Sequence, residues 1–410
     1  MRILIVGGGI AGLTLGLLLE RKGFKPHLFE VSPSIEPLGL GVNLLPHCTK
    51  VLQEAGMLEE LARLAVKTDT AAFYNRFGQF IYSEPLGLAA GYELPQLSTH
   101  RADLHLSLVK AFRDRVGADY LHLGHRAVGF EQDAAGVRAK FVDATSGASL
   151  PDHEGDVMIA ADGIHSAIRK LLHPGEGAPK YSGVNMWRGA AVLPPYLSGA
   201  TMVRAGWHST GKMVIYPIRD NVDGKGNQLI NWVAELETER QPNRDWNEPG
   251  RIEDFIPAFE EMIFDWLDIP AMMRGTERIY EFPMVDQDPL AHWTDGRVTL
   301  MGDAAHPMYP RGSNGAGQAI LDTKCLADRL AEFKDPRDAL RAYEEERRPA
   351  TEQVVLTNRT NPPDYILKIV YDRTGDKPFD KLEDVVSQEE LAAVTANYKK
   401  VAGYDKKHLR

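Results

Sequence analysis

Apolar positions at the start of the chain fall into blocks of different period. Ile3, Leu4, Ile5 and Val6 form an unbroken apolar run, the pattern of a strand buried on both faces of a parallel sheet. Leu13, Leu15, Leu17, Leu18 and Leu19 then make a largely apolar helix ending near Gly23, and residues 27–30 read as a second strand closed by an acid. Residues 156–170 (DVMIAADGIHSAIRK) repeat this order of strand, turn and helix, and residues 297–301 give another buried strand. Helical spacing covers residues 47–64, broken at Gly56, then 101–115, 318–333 and 337–360. Residues 71–83 alternate as a hairpin turning at 75–78, and 121–124, 127–132 and 137–142 read as strands. From 181 to 290 the texture changes. VNMWRGAAVL, TMVRAGWH, KMVIYPIRD and QLINWVAELE read as strands, with a polar connection at 221–227 and one helix near 253–266. The tail from Pro362 onward is charged, and its last residues are expected to be loosely held. The pattern predicts an α/β fold: a parallel sheet with helices, an inserted and largely antiparallel β layer, and C-terminal helices.

Gly7, Gly9 and Gly12 stand in GxGxxG spacing between the first strand and helix, and Glu30 follows 23 residues after the first of them. Gly7 permits the tight turn, Gly9 lets backbone approach a pyrophosphate, and Gly12 lets helix and strand lie close. The positive helix end attracts a diphosphate, and Glu30 is placed to accept from ribose hydroxyls. This is a Rossmann-like unit, and taken alone it says only that a dinucleotide binds. The glycines inside the apolar start, with no small-residue cleavage site, argue against a signal peptide. With 410 residues, 43% hydrophobic and 25% charged, one large or two intimate domains are expected. The net charge of −10 disfavours nucleic acid or an anionic membrane as partner, and no apolar run is long enough to span a bilayer. Cys48 and Cys325 fit two buried thiols in a reducing cytoplasm, the simplest setting, and leave a disulfide open. No Cys/His spacing suggests a metal site.

Residues 302–322 (GDAAHPMYPRGSNGAGQAILD) carry the third signal. Asp303 falls at the carboxyl end of a strand, where open α/β sheets bind ligands, and can accept from a polyol hydroxyl. Pro310 stiffens the loop; Gly312, Asn314, Gly315 and Ala316 bring bare backbone to a helix start whose dipole favours negative charge on a neighbouring ring.

GGGIAG at 7–12, DG at 162–163 and GD at 302–303 together resemble the motif triplet of the single-component FAD-dependent aromatic hydroxylases, the p-hydroxybenzoate hydroxylase-like flavoprotein monooxygenases. The similarity runs to about Arg348. LGLGVNLLP, ADGIHSAIRK, MWRGA, EFPMVDQDPL and YEEERRP look most like the phenazine-hydroxylating branch, which acts on a methylated phenazine carboxylate. Gly317 stands where many members carry Asn, a departure that this branch shares. The resemblance implies that Gly7, Gly9, Ile10, Ala11, Gly12 and Glu30 hold the ADP half of FAD. It implies that Arg101 reaches the diphosphate or ribitol, that Asp162 and Gly163 serve both FAD and the nicotinamide donor, and that Asp303 binds ribitol. Pro310, Gly312, Asn314, Gly315 and Ala316 would flank the isoalloxazine, with Val42 and Val128 completing the cofactor set. Arg101 also reads as a helix-start surface charge, and Asp162 as a plain turn acid.

The expected division is a discontinuous FAD-binding domain (1–70, 98–178 and 285–362), a substrate-binding β layer (71–97 and 179–284) and a C-terminal tail (363–410). Only one nucleotide fingerprint is present. That fits a hydroxylase in which NAD(P)H docks transiently, reduces FAD and leaves, after which flavin and O₂ give a C4a-hydroperoxide that attacks an aromatic or N-heteroaromatic ring. Alternatives are an FAD oxidoreductase without oxygen insertion and a nucleotide-binding regulatory module. A cytoplasmic monomer or homodimer acting on a small aromatic substrate is expected. Candidate pocket residues are Trp187, Arg188, Tyr216, Pro217, Trp232, Met284, Met308 and Tyr309, although each aromatic or Met reads equally as core. Arg188 would meet a substrate carboxylate or form a structural ion pair. His208 or Tyr216 could assist deprotonation of a phenol. His306 reads as structural.

Overall fold

The computed structural model describes residues 1–37, 39–239, 249–407 and 409; Leu38 of LGLGVNLLP, 240–248 of the inserted layer, and 408 and 410 of the tail lie outside them. One layer is a six-stranded sheet in the order Thr294–Asp295, Val298–Leu300, Val157–Ala160, Ile3–Val6, His27–Phe29 and Leu121–His122, parallel except at the first pair. Its central strands are wholly buried, which is why they read as unbroken apolar runs. Helices Ile10–Arg21, Arg101–Arg115 and Gly315–Glu332 pack beside it.

The second layer is a seven-stranded sheet: Tyr280–Asp286, Lys180–Leu193, Gln228–Glu237, Gly211–Arg219, Thr201–Trp207, Thr70–Tyr74 and Phe80–Pro85. Every pair is antiparallel except Thr201–Trp207 with Thr70–Tyr74. A small antiparallel sheet of Gly41–Leu44, Gln96–His100 and Val66–Thr68 stands between the layers. The α/β architecture with an inserted antiparallel layer and C-terminal helices is therefore the one observed.

One expectation needs correction. Residues 253–266 are not a helix: Ile252–Asp254 and Ile256–Ala258 are single 3₁₀ turns, and the helix of this region is Ile269–Arg274. Pro257 removes a backbone donor in mid-segment, whereas Asp268 caps the later helix by accepting from the Ala271 N–H at 2.8 Å. The charged tail carries two helices upstream of its last residues, of which 408 and 410 lie outside the described ones. Tyr365–Thr374 and Gln388–Val401 are helices, and Ile366, Leu367, Val370 and Leu391 bury against Ala71, Phe73 and Ile81 of the second sheet. Their apolar residues recur at helical spacing, and the charges along them lie mostly on the outside. Asp364 anchors the segment, pairing with Arg204 at 2.8 Å and with Lys212, which also reaches Glu235 at 2.8 Å. Cys48 and Cys325 are free and buried. Among the described residues no helix is long and apolar enough to cross a membrane.

Candidate active site

The three glycine-containing turns leave neighbouring parallel strands at the same end. Val6 pairs with Ala160 and Ala160 with Leu300, so Gly7, Ala161 and Met301 begin their turns side by side. A Cβ on Gly7 would fall on the Ala161 carbonyl and one on Gly12 on the Gly7 carbonyl, so strand, turn and helix meet only because both are glycine. Gly9 has nothing within 4 Å of its Cβ position, leaving space before helix Ile10–Arg21, whose N-terminus has no side-chain cap. Its first N–H groups, at half-buried Ile10 and Ala11, are thus free for an anion. Glu30 is fixed: Oε2 accepts from the Gly8 N–H at 2.7 Å and Oε1 from the Ser32 N–H at 2.8 Å. Each oxygen keeps a lone pair for a hydroxyl. Val128 lies further along the strand that begins at His125, whose N–H donates to the Glu30 carbonyl at 2.9 Å; its side chain is exposed.

Asp162 Oδ2 accepts from the Ala167 N–H at 2.8 Å, while Oδ1 is buried without a partner and burial raises the carboxyl pKa. Gly163, like Gly9, opens onto empty space. Gly302 donates to Asp322 Oδ2 at 3.0 Å, and His306 Nε2 meets the same oxygen at 2.6 Å. Arg347 Nε donates to Asp322 Oδ1 at 2.8 Å. Burial alone would raise the Asp322 carboxyl, but His306 and Arg347 outweigh it and hold it below the usual range. His306 is thus tied into the inside of the turn. Asp303 and Pro310 are exposed. Arg101 heads its helix and is exposed, with Asp303 and Arg188 near enough to act on its charge, so all three charges share one neighbourhood. The loop enters helix Gly315–Glu332 at an uncapped end, with half-buried Gly315 and Ala316 in the first turn. Asn314 Oδ1 accepts from His47 Nε2 at 3.0 Å, and its Nδ2 is buried without a partner.

Register in the second sheet decides which candidates face this turn cluster. Arg188 pairs with Val233, Val214 with Val233, and Tyr216 with Asn231, so these residues share a face. That face meets the strand containing half-buried Val42: Arg188 Nη2 donates to the Gly41 carbonyl at 3.0 Å, and the Gly41 N–H donates to Asn231 Oδ1 at 2.7 Å. A Cβ on Gly41 would lie 2.7 Å from both Asn231 Cγ and Tyr216 Cε2. Met186, Val233, Phe282, Met284 and Tyr309 form an apolar wall beside it, whereas Met308 packs into the core of the first layer. Trp187 and Trp232 point the other way. They pack against Phe255 with ring centroids at 4.9 and 6.0 Å, as core, and Pro217 falls on their side through its pairing with Ile230. His208 is committed elsewhere: its Nε2 lies 2.7 Å from Glu235 Oε2 inside the buried ionic cluster. Burial raises the Tyr216 pKa, against the pull of Arg188 and Asn43, so it is a neutral phenol near pH 7.

The sequence profile of the FAD binding domain family matches residues 1–358. The chain belongs to this family. Phenazine 1,6-dicarboxylic acid hydroxylase PhzS of Lysobacter antibioticus is 35% identical, covering 100% of this chain and 98% of that protein. The 3-amino-4-hydroxybenzoate 2-monooxygenase PtnB3 of Streptomyces platensis is 33% identical over 87% of each chain. Klebsiella pneumoniae HpxO, solved with FAD and uric acid, superposes with a TM-score of 0.74 at 21% identity, over 98% of this chain and 92% of that one.

The family member described here is an FAD-dependent monooxygenase, and its own residues suit that cofactor. Two uncapped helix N-termini, the open spaces at Gly9 and Gly163, the partnerless Asp162 Oδ1 and Asn314 Nδ2, and the fixed Glu30 are what a dinucleotide with a polar ring would use. Several residues that shape the site escaped the sequence reading. Arg169 donates to the Ala304 and Ala305 carbonyls at 2.9 and 2.8 Å, locking the DG segment to the GD turn. Asn231 holds the Gly41 backbone and His47 the Asn314 side chain, each from a distant part of the chain. The one available signal was Arg169 within ADGIHSAIRK. Gly317 has a physical reason: a Cβ there would fall on Asn314 Oδ1 and lie 2.9 Å from Cys48 Sγ and 3.1 Å from His47 Nε2, so Asn314 and the His47 that holds it fill the space an Asn would need.

Proposed function

We propose that this FAD-dependent aromatic hydroxylase acts on an aromatic or N-heteroaromatic carboxylate, with Arg188 holding the carboxylate. The carrying observation is the state of Arg188. Among the described residues it makes no ion pair, and its Nε is buried without a partner beside the equally partnerless Asn231 Nδ2. A guanidinium in that state favours a planar anion, and the neighbouring Met284, Phe282 and Tyr309 wall suits a flat apolar ring. The named relatives act on a phenazine dicarboxylic acid and an amino-hydroxybenzoate, both carboxylates, which supports the same class here.

Bound FAD, reduced by NAD(P)H, supplies oxygen activation and the transfer of one oxygen atom to the ring. Gly7, Gly9, Gly12 and Glu30 would hold the ADP half, Arg101 and Asp303 the middle, and the 310–316 loop the ring system. In this reading residues 1–70, 98–178 and 285–362 serve the cofactor and the β layer serves the substrate. Arg188 and Asn231 orient the substrate while the apolar wall excludes water. Tyr216, a neutral phenol, donates or accepts one hydrogen bond there and does not act as a base. The enzyme would work as a monomer or homodimer in a reducing cytoplasm, consistent with two free buried thiols. A panel of phenazine carboxylates and hydroxylated aromatic acids, each beside its decarboxylated analogue, tests this through stimulation of NAD(P)H oxidation. Selective stimulation by carboxylates is expected; equal response to the neutral analogues would refute the role of Arg188.

A further inference from the structure

The loop before helix Gly315–Glu332 holds two consecutive left-handed residues, Gly312 at φ 74° and Ser313 at φ 55°. For a serine this backbone is strained and persists only where its surroundings over-determine it. Those surroundings come from the far end of the chain. Tyr398, fully buried on helix Gln388–Val401, lies so close beneath Gly312 that a Cβ there would fall on its hydroxyl. The Tyr398 hydroxyl donates to Asn358 Oδ1 at 2.9 Å and reaches the Arg311 carbonyl at 3.4 Å. Asn358 Nδ2 in turn donates to the Tyr309 carbonyl at 3.1 Å, so both arms of the loop are tied to one phenol. Further along, Gln318 Nε2 donates to the Ala402 carbonyl at 3.0 Å. His47, which holds Asn314, stacks on Tyr404 with centroids 5.2 Å apart and planes 11° from parallel. The matched family profile stops at residue 358, before all of these C-terminal partners.

We propose that Tyr398, Tyr404 and the Ala402 carbonyl form a C-terminal clamp that sets the 309–316 loop in the shape that receives the flavin. These are positioning residues: each acts through loop backbone, Asn358, Gln318 or His47. The inference rests on the reading that the 309–316 loop faces the cofactor.

The test uses the full-length chain. Tyr398→Phe keeps the ring and removes the hydroxyl; Tyr404→Leu removes the stack on His47; Asn397→Ala, on the exposed side of the same helix, is the control. FAD affinity is read by quenching of flavin fluorescence on titration of apoprotein, and apoprotein melting is measured in parallel. The expected result is an FAD Kd raised about fivefold or more by Tyr398→Phe at a temperature where the apoprotein is fully folded, with apoprotein melting lowered only by the few degrees that one buried hydrogen bond is worth. Tyr404→Leu should act in the same direction, and in both variants NAD(P)H oxidation should become less coupled to product. An unchanged FAD Kd in Tyr398→Phe overturns the clamp, as does a loss of affinity that disappears where the apoprotein is fully folded. Asn314→Ala separates the causes. If it lowers FAD affinity while Tyr398→Phe does not, only the clamp fails; if neither changes it, the loop reading fails as well.

Discussion

Arg188 is the side chain on which substrate choice turns. It contacts the Gly41 carbonyl, but no carboxylate of the described chain answers its charge. Arg188→Gln should therefore raise KM for a carboxylate substrate by about tenfold to a hundredfold, as expected for a lost charge-assisted contact, with a smaller change in kcat. Steady-state kinetics with a carboxylate and its neutral analogue checks this, since the neutral compound should be nearly insensitive. Gly317 makes a different claim. Gly317→Asn should destabilise the protein by about 1–3 kcal/mol through crowding of Asn314, Cys48 and His47, measured by urea unfolding, and Asn314→Ala in the same background should relieve part of it. Features set by spacing along the chain, such as the Gly7 turn and the close helix–strand approach at Gly12, were legible without a structure. Trp187 and Trp232 were not, because a one-residue change of register swaps the faces of a strand and nothing local fixes that register. Asn231 was invisible for another reason: its partner Gly41 lies 190 positions away.

At the level of elements, the strands and long helices followed their apolar periodicity closely. The failure came where a local rule met a tertiary one. Phe255 and Phe259 have helical spacing, yet Pro257 stands between them and both rings are spent on the Trp187–Trp232 face. The tail is rich in charge, but its apolar residues form one stripe on each helix and hold it to the second sheet. Its anchor is Asp364, buried between Lys212 and Arg204. Asp364→Asn leaves two buried cations short of an anion and should cost about 3–5 kcal/mol. Hydrogen exchange should show helix Tyr365–Thr374 losing protection before the parallel sheet does.

Across the whole molecule, two layers enclose the cofactor side of the first sheet, and the fold brings together motifs that the sequence could only place in order. Acid should loosen this assembly. His47, through burial, and His122, through burial and then the charges of His153, His27 and His125, both have pKa values lowered to about 4. Because the unfolded chain takes up these protons near pH 6.5, stability should fall as pH drops from about 6.5 towards 4 and flatten below. Melting temperature against pH checks this, and His122→Gln should make the slope shallower. The most direct test of the monooxygenase reading is product mass under oxygen-18 gas, with holoenzyme, NAD(P)H and a phenazine or hydroxylated aromatic carboxylate. A product carrying one oxygen-18 atom in a new hydroxyl is expected. NAD(P)H consumption with all of the label recovered as hydrogen peroxide or water, for every carboxylate that stimulates it, would contradict it.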